Sequence, residues 1–483
     1  MVEEQGAADS FPAVRARVAS LFRRVLQTGR RLLSPREVAF LAIFALYLDR
    51  WVNMRLVFWN QNDLFLVNLG FARDFMVAAG QPCQWLGKLL LQACHGGWPG
   101  ALAVAAVAGL LFLSAKASLW RIAPGARVDH VWIVPAVLLV LLHSQYTYSL
   151  STTLGLAIAL VGTSAYVRAP GRNGWARLAA FVAASVPVYY LAGGAYLVFV
   201  TCSLVYELVT VKRRLRGLSL VPAALAVKLG IDSGLGALNA AYLHCELPET
   251  SYLIHNTAGA WAVGLLDAYF PVCALFLAAR GTTAPLLARL RRARLWPRTR
   301  TAELGAGRSR QDRSKPWGRR RGSGVAGQSA GRGPRAWSTR MRPIWPWALT
   351  ALFVVVAAGA GMKALGTGDT RKILEIDFAS RRHEWEKVLH EAADLPPALY
   401  ADCGNQDVDE ALYHLGRLPY DMFAYPQRRL IVDHQHGARG RLLSRKAFDL
   451  LLELGRVNEA ETIAHNDLEL HPSAEFLMRL ALV

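Results

Sequence analysis

Apolar runs of bilayer length constrain this chain more than any other feature. A helix needs about 20 consecutive, mostly apolar residues to cross a hydrocarbon core of about 30 Å. Runs near that length recur at 38–58, 98–115, 131–148, 153–167, 178–191, 195–211, 218–238, 258–279 and 344–365. They are continuous rather than alternating, which fits helices whose backbone groups are satisfied within each segment. The chain is 53% apolar and 19% charged, against about 25% charge in an ordinary soluble domain. The expected fold class is all-α: a polytopic transmembrane helix bundle of about nine spans, followed by a C-terminal α-helical domain.

Charge sets the expected orientation, because Lys and Arg collect in cytoplasmic loops. Arg15, Arg17, Arg23, Arg24, Arg30, Arg31 and Arg36 precede the first run. Alternate connections then carry Lys116, Arg121 and Arg127; Arg168, Arg172 and Arg177; and Lys212, Arg213, Arg214 and Arg216. The intervening ones, around Ser149, Gly193 and Cys245, hold almost no cations. This places the N-terminus inside and, with nine spans, the C-terminal domain outside. The pattern is that of an inner-membrane protein with a periplasmic or other extracytoplasmic tail.

Five parts follow. Residues 1–37 carry Phe11, Val14, Val18, Leu21, Phe22 and Val25 at helical spacing among arginines, as in a basic amphipathic helix on an anionic leaflet or a solvated flank that fixes topology. Residues 38–279 hold the bundle, with a long outer loop at 59–97. Residues 280–343 form an Arg/Gly-rich stretch expected to be a disordered cytoplasmic linker: from Gly281 to Arg342 there are 17 Lys/Arg against two acids, much of the net +20. Trp317 and Trp337 are too few for a stacking platform, so nucleic acid is not an expected partner. Residues 344–365 make the last span, and 366–483 the outer domain.

In that domain His383-Glu384-Trp385, Leu415-Gly416-Arg417 and Leu454-Gly455-Arg456 read as successive helix turns, spaced by 33 and 39 residues from His383 to Gly416 to Gly455. The period suggests tetratricopeptide-like hairpins. Gly455, Ala460, Ala464 and Pro472 match the last unit best. Residues 478–483 would open another repeat, which predicts that the natural chain continues beyond Val483.

The text Tyr189-Tyr190-Leu191-Ala192-Gly193-Gly194, Ala411-Leu412-Tyr413-His414-Leu415-Gly416-Arg417-Leu418 and Met422-Phe423-Ala424-Tyr425-Pro426-Gln427 resembles a bacterial family of polytopic membrane proteins of unknown function with a repeat-like tail. The resemblance implies architecture and no chemistry. The long linker and the early stop depart from the family pattern.

Charged and polar residues inside a span are functional candidates by default. Asp49, Asn53 and Asn60 fall on one face of the first run, with Asp63 beyond them, and Lys228 and Asp232 are spaced to form an ion pair. Outer candidates for substrate binding are Arg73, Asp74, Tyr189, Tyr190, Glu246 and His255, with Gln145, Tyr146, Tyr148, Thr152 and Glu249 lining the same side. The layout is similar to that of GT-C membrane glycosyltransferases, which implies Asp63 as a catalytic carboxylate, Arg73 on the phosphate of a lipid-linked sugar substrate, and a divalent cation as the only cofactor such a reading would need. His434-Gln435-His436 lacks a third ligand at fixed spacing, so no metal site is read from the sequence. Cys83 and Cys94 are either a disulfide or two packed thiols. The reading preferred here is a membrane protein whose outer domain offers a binding surface to an envelope protein; the transferase is the alternative and a transporter the third.

Overall fold

A computed structural model describes residues 33–61, 64–123, 130–169, 174–210, 214–236, 257–294, 345–364, 366–402, 404–427, 438–470 and 474–483. Among these residues every element is helical. Five segments are long and apolar enough to cross a membrane: Trp98–Ile122, Leu150–Arg168, Gly174–Val209, Gly217–Gly234 and Trp261–Ala279; Ile133–His143 and Val354–Lys363 are shorter apolar helices.

The first run is broken. Helix α1 (Pro35–Tyr47) opens with Pro35 in its first turn and with Ser34 and Glu37 capping each other reciprocally. A π-helical turn follows at Leu48–Val52, and Asn53 takes φ +60°, a left-handed value that Asn tolerates better than most residues. Helix α2 (Met54–Gln61) begins after this break. The face shared by Asp49, Asn53 and Asn60 on a continuous helix therefore does not exist; this corrects the expected polar stripe.

Within residues 59–97 lie α3 (Leu69–Asp74) and the amphipathic α4 (Gln81–Leu91). At the centre of the bundle, α5 (Trp98–Ile122) packs against α7 (Leu150–Arg168), with α6 (Ile133–His143) between them in the chain. Ala101, Ala105, Ala108 and Ala115 of α5 are buried, as are Ala157 and Ala159 of α7, and small residues let helix backbones approach closely. Ser118 Oγ donates to the Leu160 carbonyl across that contact at 2.6 Å. At Gly162 an added Cβ would lie 2.4 Å from Val188 Cγ2, so α8 (Gly174–Ala192) also approaches closely.

The longest apolar segment is a hairpin. Gly193 has φ +58°, and the Phe181 ring of α8 stacks on Phe199 of α9 (Tyr196–Thr210) with centroids 5.3 Å apart. Eighteen residues of straight helix would separate those rings by about 27 Å at 1.5 Å per residue. The bundle is completed by α10 (Leu220–Gly236) on α8, α11 (Thr257–Arg294) on α9, and α12 (Trp345–Ala364) on α6. α11 runs past the expected linker boundary at 280. Leu225 and Leu229 of α10, Val272, Leu275 and Phe276 of α11, and Val355 and Val356 of α12 are exposed large apolar side chains of the kind that a bilayer covers.

Three cations counted above as loop charges are not free. Lys116 lies within α5, buried against the Glu37 carboxylate at 2.6 Å; Arg121 ends the same helix and donates to the Ser164 carbonyl; Arg177 of α8 pairs with Glu207 of α9 at 2.6 Å. The amphipathic reading of residues 1–32 lies outside the described residues.

The C-terminal domain is built from α13 (Thr367–Ser380), α14 (Trp385–Ala393), α15 (Gly404–His414), α16 (Leu418–Asp421), α17 (Ala438–Glu453), α18 (Val457–Leu470) and α19 (Ala474–Leu480). Each expected turn carries a positive φ, at His383, Gly416 and Gly455. Each also closes with the same long bond, Glu384 N to Ala379 O, Arg417 N to Leu412 O and Arg456 N to Leu451 O, which satisfies end carbonyls of the preceding helix. The units are helical hairpins, but unequal ones: α16 has only four residues, with Pro419 in its first turn.

Candidate functional site

The residues singled out from the sequence separate into groups. Asp49 lies 3.6 Å from Arg50 at the π turn, Asn53 Oδ1 accepts the Arg55 amide, and Asn60 Nδ2 donates to the Tyr146 carbonyl. Gln61 donates to the carbonyls of Tyr146 and Tyr148, so α2 is fastened to the turn after α6. Tyr146, Tyr148 and Thr152 are buried, and the first two spend their hydroxyls on the Val52 carbonyl and Thr153 Oγ1. These three therefore pack within the bundle rather than being open to a substrate on the outer side. Cys83 and Cys94 are both buried and are not joined to each other, and the Cys83 thiol donates to the Ser151 carbonyl. Asp63, Glu246, Glu249, His255, His434 and His436 lie outside the described residues.

A second group does come together. Lys228 Nζ donates to Asp232 Oδ2 at 2.6 Å, the pair that their spacing predicts. Tyr189 Oη donates to Asp232 Oδ1 at 2.6 Å, and the Lys228 ammonium stands 5.9 Å from the Tyr189 ring. Tyr190, facing the other way, donates to the Met76 carbonyl and accepts from the Gly80 amide, tying α8 to the loop between α3 and α4. Arg73 and Asp74 are exposed at the end of α3 in that same loop.

Among the described residues the most extended set of ion pairs lies in the C-terminal domain, and sequence reasoning missed it. Asp377 of α13 lies 3.3 Å from Arg381 and 3.8 Å from Lys446 of α17, and Lys446 also pairs with Asp407 of α15. Glu475 of α19 receives Arg381, Arg445 and Arg479, and Arg479 forks onto both oxygens of Asp449. The Asp377, Asp407, Arg445 and Lys446 side chains are each no more than 6% exposed. Ions this far from water persist only when paired and hydrogen-bonded. Burial would raise Asp377 and Glu475, but Arg381 and the neighbouring cations outweigh it and hold both carboxyls below their usual range. At Asp407 burial wins and the carboxyl moves up despite Lys446, while Arg445 is pushed down to about 10 by burial and by Arg381.

Trp59 joins this network to the bundle. Trp59 of α2 donates its indole N–H to Asp377 Oδ2 at 3.2 Å, lies under the Arg381 guanidinium at 4.4 Å, and meets Phe378 edge to face. Helix α13 therefore sits on α2, with its charges joined to the end of the first run. On the domain's surface Tyr413, Tyr420 and Phe423 are 63%, 86% and 87% exposed, all between α15 and the short turn after α16. Large aromatics so placed are costly to leave in water and are typical of contact surfaces.

A chain whose described residues are all in helical elements or their connections, with five membrane-length apolar segments and helical hairpins at its C-terminal end, has the features of a membrane-type helical protein. More narrowly, it belongs to a family of unknown function, DUF6057, whose model matches residues 31–483. No curated protein and no solved structure matches the chain.

Proposed function

We propose that this is a bacterial inner-membrane protein of about nine spans, N-terminus and linker inside, whose extracytoplasmic tetratricopeptide-like domain presents a binding surface to a protein partner of the envelope. The exposed Tyr413, Tyr420 and Phe423 carry this reading. They stand on a domain that its buried ion pairs and Trp59 hold in a fixed seat, and a preorganised aromatic patch loses little entropy on binding. The unequal hairpins support a repeat that has diverged toward one surface rather than a regular array.

The test is in cells. Tyr420→Ala with Phe423→Ala should reproduce the envelope defect of a deletion strain while the protein level and the melting temperature of the purified chain stay unchanged. Full complementation by that double variant would overturn the binding role. Asp63→Asn serves as the arm for the transferase alternative: a changed envelope glycan or glycolipid profile at normal expression would replace the binding role with a lipid-linked sugar chemistry.

A further inference from the structure

On the flank of the C-terminal domain, Glu410 and His414 stand one helical turn apart on α15, and Glu453 ends α17 beside them. One donor atom from each lies within 4.8 Å of the other two, and His414 Nε2 is 3.2 Å from Glu453 Oε1. Zinc takes imidazole and carboxylate donors at roughly 2.0–2.2 Å, so donors around one ion are at most about 4.2 Å apart and rotamer adjustments on the order of 1 Å close the set. The imidazole is already oriented: its ring lies flat on Trp385, centroids 4.4 Å apart at an interplanar angle of 9°. Charge points the same way. Asp407, Asp449 and Glu453 surround Glu410, and Lys446, a cation near it, is itself joined to Asp407.

We propose that Glu410, His414 and Glu453 bind one Zn2+ ion, which clamps α15 to α17. One imidazole and two carboxylates from the protein leave a coordination position to water, and the donor set suits Zn2+ better than the harder Mg2+ or Ca2+. The two ligand-bearing helices belong to different hairpins, so the ion adds a cross-link where the intervening connection, 415–437, is long. Its effect is on stability, through mass action on the folded state.

The experiment uses the full chain, purified in detergent, stripped with a chelator and titrated with Zn2+ by calorimetry, with melting temperature read in parallel. Wild type should take up close to one equivalent and melt higher in its presence. His414→Ala and Glu453→Gln should each weaken binding at least tenfold and lose the melting shift, while their helical content without metal matches wild type. A double His434→Ala, His436→Ala variant should bind as wild type does. Absence of stoichiometric uptake by wild type, undiminished binding by both single variants, or loss of binding in the His434, His436 variant would each overturn the assignment.

Discussion

Replacing Lys446 by Met tests the buried ionic network at one of its most enclosed cations. Met keeps most of the volume and removes the ammonium that faces Asp407 and, at 3.8 Å, Asp377. Asp377 retains Arg381 and Trp59, whereas Asp407, whose side chain is 2% exposed, loses its principal counter-ion. Removing one partner of a buried pair typically costs about 3–5 kcal/mol because the other charge is stranded. For a domain of this size that corresponds to a fall of roughly 10 °C or more in the melting temperature. The comparator is Arg456→Met, which breaks an Arg456–Glu459 pair more than half exposed on both sides and should cost about 0–1 kcal/mol. Burial already raises Asp407, and loss of Lys446 raises it further, so the folded state then binds a proton that the unfolded state releases. Stability of Lys446→Met should accordingly fall as pH rises from the ordinary carboxylate range, and the deficit should shrink in acid. Adding Asp407→Asn removes the stranded charge and should recover much of the loss. The assay is thermal unfolding of the full chain in detergent, followed through the C-terminal domain. If Lys446→Met melts like Arg456→Met, with no pH dependence of the difference, the buried pairs do not hold this domain together.

Three further outcomes follow from the packing. Trp59→Ala removes the N–H donor to Asp377 and the ring under Arg381, so limited proteolysis near residue 366 should accelerate while the apolar bundle melts unchanged; equal cleavage rates would show that α2 does not seat the domain. Ala460 is fully buried beside Ala464, so Ala460→Glu should cost several kcal/mol while exposed Glu459→Ala costs about 0–1 kcal/mol, and equal melting temperatures would refute the α17/α18 hairpin. Burial and the carboxylates around it push Glu410 up from 4.5 to about 8. Between those values the fold binds a proton that the unfolded chain does not, so Glu410 withdraws stability as pH rises through that window. With Zn2+ chelated, Glu410→Gln should melt higher than wild type at pH 8 and no higher at pH 4; the same difference at both would contradict that environment.

The apolar runs and the three turns of the C-terminal domain were legible because each depends on local chemistry. A run of Leu, Val and Ala marks a helix that lipid or protein must cover, and glycine marks a left-handed helix end at Gly416 and Gly455. His383 supplies the same conformation without a glycine, yet its spacing still gave it away. The break at Asn53 was not legible, since Leu48 to Val52 reads as continuous helix and only the backbone shows the π turn. Nor was the ionic core. Asp377 and Arg381, four apart on α13, look like an exposed surface pair, and only the arrival of Lys446, Arg445 and Glu475 from distant helices makes them interior. The Lys228–Asp232 pair was found because both partners lie on one helix, while Glu37 and Lys116, 79 residues apart, were missed.

The central claim is that the aromatic surface of the C-terminal domain faces out of the cell while the Arg-rich linker faces in. It is tested most directly in intact cells, with the six native cysteines replaced by serine. A membrane-impermeant maleimide should label Phe423→Cys at once, and should label Gly322→Cys only after the membrane is permeabilised. Labelling of Gly322→Cys in intact cells, with Phe423→Cys protected until permeabilisation, would invert the protein and contradict the account.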